Sequence, residues 1–308
     1  MDTNGSGVAS SYHERVRPTR HDTATIRSAA AWDVVRPTSA STVAGLSMAG
    51  FHDRSAGPVD LPVVPNPAVT LVLEFGDDSL VVEGADGRTQ RGSLVAGLDP
   101  GGVRMRGRNI QCVEVRLSPV IARAVLGVSA AELHHPVVAA DELWGNEVCR
   151  IQEQLGDAPS WDERFALLEA LLMRRSRPGP VVDPQVAWGW KRIVVSRGSV
   201  RVEDLAAELG WSRKRLWSRF RSQIGLPPKR AAKLVRFDHA AHRLAAGESA
   251  ARVAAECGYA DQAHFHREVL GFTGMTPTTL AGGPGLVVND IAYAGRETAG
   301  TFVQDRCA

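Results

Sequence analysis

Two short runs of this sequence gather side chains able to make many directed hydrogen bonds, and neither holds a group placed to break a covalent bond. The first carries Arg213, Lys214, Arg215, Trp217, Ser218 and Arg221; the second carries Gln262, Ala263, His264, His266 and Arg267. A guanidinium fork matches the paired acceptors on the guanine edge, and a glutamine amide matches adenine. Lys and Arg also neutralise phosphates, which gives affinity without sequence information. The chemistry on offer is recognition of an anionic, acceptor-rich surface. His264 and His266 read as a partly exposed polar pair, because no Cys or Asp accompanies them at ligand spacing. No metal is expected there.

Such side chains act together only if helices hold them on one face. Ahead of the first run, Leu205, Ala206 and Leu209 give a short helix one apolar stripe. Gly210 can end that helix in a left-handed conformation, and Ser212 can cap the next. In that next helix Leu216 and Phe220 lie four apart and face inward, leaving Lys214, Trp217, Ser218 and Arg221 on another face. The second run repeats the pattern. Val253, Ala254 and Cys257 form the stripe, Gly258 the stop and Asp261 the cap, while Phe265 and Val269 point inward. Between the blocks, Pro227-Pro228 can open a helix that continues to Gly247. About 19 residues at about 1.5 Å each make a rod of roughly 28 Å. That is close to one DNA turn of about 34 Å, so one chain can reach two successive major grooves.

The arrangement resembles the AraC/XylS family of transcription regulators from about Gln185 to Leu280. The residues that carry it are Asp204-Leu205-Ala206 with Gly210, Ser212 with Leu216 and Phe220, then Gly225 and Pro228. Ala255-Glu256-Cys257-Gly258-Tyr259-Ala260-Asp261-Gln262, His264-Phe265-His266-Arg267 and Gly274-Met275-Thr276-Pro277 complete it. The resemblance implies that the second helix of each pair reads bases, through Lys214, Trp217 and Ser218 in one and Gln262, Ala263 and Arg267 in the other. Trp217 is bulky where a polar reader is usual. Leu270 and Gly271 stand where basic residues are usual, so the first helix is expected to carry more of the electrostatic grip.

The chain of 308 residues carries a formal charge of +2, which conceals an asymmetry. Positions 185–282 hold 16 Lys plus Arg and 8 Asp plus Glu, a balance of +8; the remainder holds 20 basic and 26 acidic residues, a balance of −6. A basic module joined to a domain with another task fits this division. Cys112, Cys149, Cys257 and Cys307 form no Cys-x-x-Cys. Cys112 and Cys257 sit in apolar patterns and read as core. No hydrophobic run suits a signal peptide or a membrane span, so a cytoplasmic protein is expected.

The fold class expected is α+β. Residues 1–27 read as a disordered leader and 28–176 as a regulatory domain. A linker follows at 177–184, then the all-α domain of two helix-turn-helix motifs at 185–282 and a tail at 283–308. Six β-rich runs with turn residues between them (43–51, 69–75, 80–83, 93–96, 103–106 and 112–117) suggest a small antiparallel barrel or sandwich. The family resemblance points to a cupin-like sensing barrel in the same place. Helices are expected over 120–126, started by Ser118 as cap and Pro119 in the first turn, and over 141–155 and 161–175. The last two either cover the barrel or form a homodimer interface. Arg104 and Arg106 alternate along one strand and can clamp a carboxylate or phosphate of an effector; a solvated face is the plainer reading. His134-His135 reads as a cap or surface pair. No Gly-x-Ser-x-Gly, His-Glu-x-x-His or phosphate-binding glycine loop is present, and no catalytic residue or cofactor is expected.

The reading is a sequence-specific DNA-binding transcription regulator that responds to a ligand, with RNA polymerase and a small-molecule effector as further partners. The alternatives are an enzyme tethered to DNA and a sensing scaffold without DNA binding.

Overall fold

A computed structural model describes residues 25–27 and 32–293, apart from 77, 85–86, 99–100, 134–135 and 177–181. The leader at 1–24, the His134-His135 pair, most of the linker and the end of the tail from 294 lie outside the described residues.

The N-terminal domain stacks two antiparallel sheets. The larger contains β1 (Thr25–Arg27), β2 (Trp32–Val35), β3 (Leu46–Asp53), β5 (Val69–Glu74), β8 (Leu94–Ala96), β10 (Gln111–Leu117) and β11 (Val137–Ala139). Its order is β1-β2-β3-β10-β5-β8-β11. The smaller contains β4 (Val59–Pro62), β6 (Val81–Glu83), β7 (Thr89–Arg91) and β9 (Arg104–Gly107) in the order β4-β9-β6-β7. The six expected runs are all present. β2, β4, β7 and β11 were not anticipated. Thr25–Arg27 pairs with Asp33–Val35, so the sheet begins inside the stretch expected to be leader.

β10 is the central strand and is registered on both sides, with Val115 opposite Met48 of β3 and Leu71 of β5. Successive strand residues point to opposite faces. Val113, Val115 and Leu117 therefore enter a core shared with helices, whereas Cys112, Glu114 and Arg116 face the space between the two sheets.

The helical cover is α1 (Pro119–Leu126), α2 (Ala140–Trp144), α3 (Glu147–Asp157) and α4 (Trp161–Ser176). The expected 141–155 helix is two helices, broken at Gly145. Ser118 precedes α1 but its hydroxyl makes no cap bond; Pro119 sets the first turn instead. Val148, Ile151 and Leu155 of α3 are buried with Phe165, Leu168, Leu171 and Leu172 of α4 in the core that contains Val113 and Val115. Both apolar stripes thus cover the sheet within one chain.

The C-terminal domain comprises α5 (Pro184–Val195), α6 (Val202–Glu208), α7 (Arg213–Ile224), α8 (Pro228–Ala245), α9 (Ala250–Glu256), α10 (Gln262–Thr273) and α11 (Pro277–Ala281). A further helix, α12 (Pro284–Tyr293), occupies the tail and leaves this domain to pack on β2 and β4 as well as on α8. No helix among the described residues is long and apolar enough to cross a membrane.

Candidate nucleic-acid interface

α6 and α7 form the first helix pair. Leu205 and Ala206 are buried against Leu216, Phe220 and Ile224, so the inward face of α7 is the apolar one. Gly210 takes φ +63° at the turn, and the Ser212 hydroxyl accepts a hydrogen bond from the Arg215 N–H at 3.2 Å. This fixes the phase of α7. Arg213, Lys214, Arg215, Trp217, Ser218 and Arg221 are all exposed. Arg213 lies 3.4 Å from Glu203, an exposed pair worth little. Arg215 stacks over the buried Trp211 with its guanidinium carbon 4.7 Å from the ring centre. Trp217 is 48% exposed and carries Arg221 over its face at 5.4 Å. A tryptophan so placed offers an apolar surface outward instead of filling the core.

α9 and α10 repeat the device. Val253 and Ala254 are buried with Phe265, Val269 and Phe272, and Gly258 takes φ +75°. The Asp261 carboxylate accepts from the His264 N–H at 2.5 Å. Gln262, Ala263 and Arg267 are exposed on the outer face. His264 and His266 are half-buried, and His264 has a local task. Its Nδ1 accepts from the Ala260 N–H at 3.3 Å and its ring meets Tyr259 edge-on at 5.4 Å. Its side chain is held against the turn, which leaves it less free than Arg267. Among the described residues no three His, Cys, Asp or Glu side chains are placed to hold a metal ion.

The two pairs are held by α8, which has 18 residues and is about 27 Å long. Its Arg236 makes a forked pair with Glu268 of α10, at 2.6 and 2.8 Å to its two oxygens, and Lys233 lies 3.5 Å from the same carboxylate. Glu268 is only 3% exposed in its side chain, and Arg236 also covers the Tyr259 ring at 4.5 Å. Phe237 and Phe272 pack beside the pair with ring centres 4.8 Å apart. Sequence reasoning missed this lock. The available clue was Glu268 itself, an acid beside Val269 and three residues after Phe265 on the buried face, a position that demands a partner.

Arg104 and Arg106 stand apart from all of this, on the outer face of β9. Arg104 bonds Asp60 at 2.8 Å, and Arg106 bridges Asp60 and Glu83. The Arg104 guanidinium leads in holding the Asp60 carboxyl below the usual carboxylate range. The residue of β9 that faces between the sheets is Met105, which separates the two arginines and points the other way. The expected ligand clamp is an exposed ion-pair cluster. Burial pushes the Cys112 thiol up, which leaves no thiolate for nucleophilic chemistry.

Fold and site together define a DNA-binding transcription regulator built on two helix-turn-helix pairs. Residues 205–282 match the family described as a helix-turn-helix domain. No curated protein matches the sequence. Among solved structures, an apo variant of ToxT from Vibrio cholerae is similar at a TM-score of 0.46 and 11% identity, over 79% of this chain and 98% of that one. ToxT from Vibrio cholerae bound to an unsaturated fatty acid gives 0.45 and 8%, over 80% and 99%. The C-terminal domain of AraT, a response regulator from Geobacillus stearothermophilus, gives 0.31 and 20%, over 32% and 85%. These likenesses are too distant to bear on individual residues.

Proposed function

We propose that the chain recognises DNA by placing α7 and α10 in successive major grooves, and that occupancy of the N-terminal domain alters this binding. The observation that carries the first part is geometric. Two capped helices, each with its apolar face buried and its donor-rich face exposed, are joined by a rigid α8 whose length approaches one helical turn of DNA. Arg213, Lys214, Arg215 and Arg221 supply phosphate neutralisation, while Lys214, Trp217, Ser218, Gln262, Ala263 and Arg267 face the bases. The exposure of Leu270 and Gly271 beside α10 leaves that helix poorer in cations than α7.

The second part rests on a cavity of about 140 Å³ between the two sheets. A regulator with such a space can be switched by whatever fills it, provided the filler prefers one arrangement of the DNA-binding domain. RNA polymerase is the downstream partner this role entails. A homodimer through 141–175 finds little support, since the apolar stripes of α3 and α4 are buried within the chain.

Purified protein incubated with genomic fragments, selected and sequenced at two salt concentrations, tests the reading. A motif with two blocks about one helical turn apart is expected. Affinity should fall by about 10³–10⁵ between 50 and 200 mM salt if six to ten phosphates are contacted. Absence of enrichment at both salts would overturn it.

A further inference from the structure

α12 lies beyond the segment that matches the helix-turn-helix family, and the sequence offered no role for it. In the structure it completes the N-terminal domain. Val288, Ala292 and Tyr293 are buried in the same cluster as Trp32, Val34 and Phe51. A Cβ at Gly285 would sit 2.7 Å from the Pro62 carbonyl oxygen, so only glycine lets the start of α12 lie so close to β4. Gly285, Val288 and Asn289 form one wall of the cavity between the sheets.

Neighbouring residues of α12 then hold different domains. Toward the barrel, Arg116 of β10 donates to the Asn289 side-chain oxygen and lies over the Tyr293 ring with its guanidinium carbon 3.5 Å from the centre. The Tyr293 hydroxyl donates to the Glu114 carbonyl at 3.2 Å. Toward the DNA-binding domain, Asp290 bonds the His242 ring of α8 at 2.7 Å. α8 in turn holds α10 through Arg236 and Glu268.

The cavity also restricts its occupant. Its walls are apolar, with Phe51, Leu61, Val72, Val82 and Met105 among them. A space of about 150 Å³ with such a lining accepts a single benzene ring. At the polar end Arg116 is already paired with Glu114 at 2.8 Å. A ligand carboxylate would meet the Glu114 carboxylate and would have to displace it, whereas an uncharged hydroxyl or carbonyl finds donors and acceptors with no charge to cancel.

We propose that α12 is the movable wall of the sensing site: an uncharged, single-ring-sized molecule with one hydrogen-bonding group fills the cavity against Val288 and Asn289, and the resulting bias in α12 reaches the DNA-binding domain through Asp290 and His242. This rests on the ligand-responsive reading above and names the ligand class and the route. Linkage requires the coupling to be mutual, so bound DNA changes affinity for the ligand by the same factor.

Phenol and benzoate serve as a matched pair of probes, since they share a ring and differ in charge at neutral pH. Melting of the full chain without DNA is measured first. Phenol at saturation is expected to raise the melting temperature by about 2–4 °C, and benzoate by far less. Val288→Phe, which fills the cavity from α12, should abolish the phenol shift; Ala96→Leu does so from the opposite wall if that first variant fails to fold. Asp290→Ala should keep the shift. DNA affinity is then measured with and without phenol on a selected fragment. A change of about fivefold or more is expected in the natural chain and none in Asp290→Ala. Equal stabilisation by both probes, none by either, or a shift that survives both cavity-filling variants overturns the site. An unaltered phenol effect on DNA affinity in Asp290→Ala overturns the route. Because melting is read without DNA, failure of the ligand site is distinct from failure of DNA recognition.

Discussion

Arg267 and Lys214 stand on exposed helix faces and pair with no acid in the described structure, while Arg236, on the helix between them, is consumed by a buried carboxylate. Exposure and pairing separate cations that face outward from the arginine that holds two helices together. Arg267→Ala should lower affinity for a good site by about 1–3 kcal/mol and relax the preference at one base position. Binding measured across single-base variants of the selected site checks this. An equal loss on every variant would make Arg267 a phosphate contact. The residue scale is also where the sequence was most legible on the DNA side. Leu216, Phe220, Phe265 and Val269 are buried as their spacing required, because a 3.6-residue period repeats within a single helix. Arg104 and Arg106 show the converse. Their alternation identified one face of β9, but which face of a strand points inward depends on the strands beside it, and those are distant in sequence.

At the scale of elements, α8 does more than span. The Arg236–Glu268 fork ties α10 to α8, and breaking the fork from the Arg236 side leaves a buried carboxylate short of its main partner. Arg236→Ala should cost about 3–5 kcal/mol, read as a lower denaturation midpoint; replacing both residues with apolar ones of similar volume should be close to neutral in stability. If the double replacement keeps stability but blurs sequence preference, the pair acts in specificity by orienting α10. β2, β4, β7 and β11 were missed, while the equally short β6, β8 and β9 were found; what a short strand becomes is decided by partners across the sheet that are distant in sequence. The helix expected over 141–155 is divided at Gly145, whose φ of +56° ends α2. The helix in the tail was not anticipated, because Leu286, Val287 and Val288 are consecutive apolar residues, a pattern that a helix buried on more than one side shares with a strand.

Over the whole molecule, the boundary between the domains is not where the charge asymmetry places it. The basic segment ends near residue 282, yet the next ten residues return to the N-terminal core. Tyr293→Ala, a change well past the DNA-binding helices, should destabilise the barrel by about 3–5 kcal/mol and lower the helical domain's midpoint by less. Unfolding followed by a probe in each domain distinguishes the two. The same return of the chain sets a schedule for its synthesis. β2 is among the first strands to emerge and α12 among the last helices, and the two pack together. About 250 residues at about 5–20 per second separate them by roughly 12–50 s. For that interval the nascent N-terminal domain stands open on one side, and the double helix-turn-helix is complete before it is.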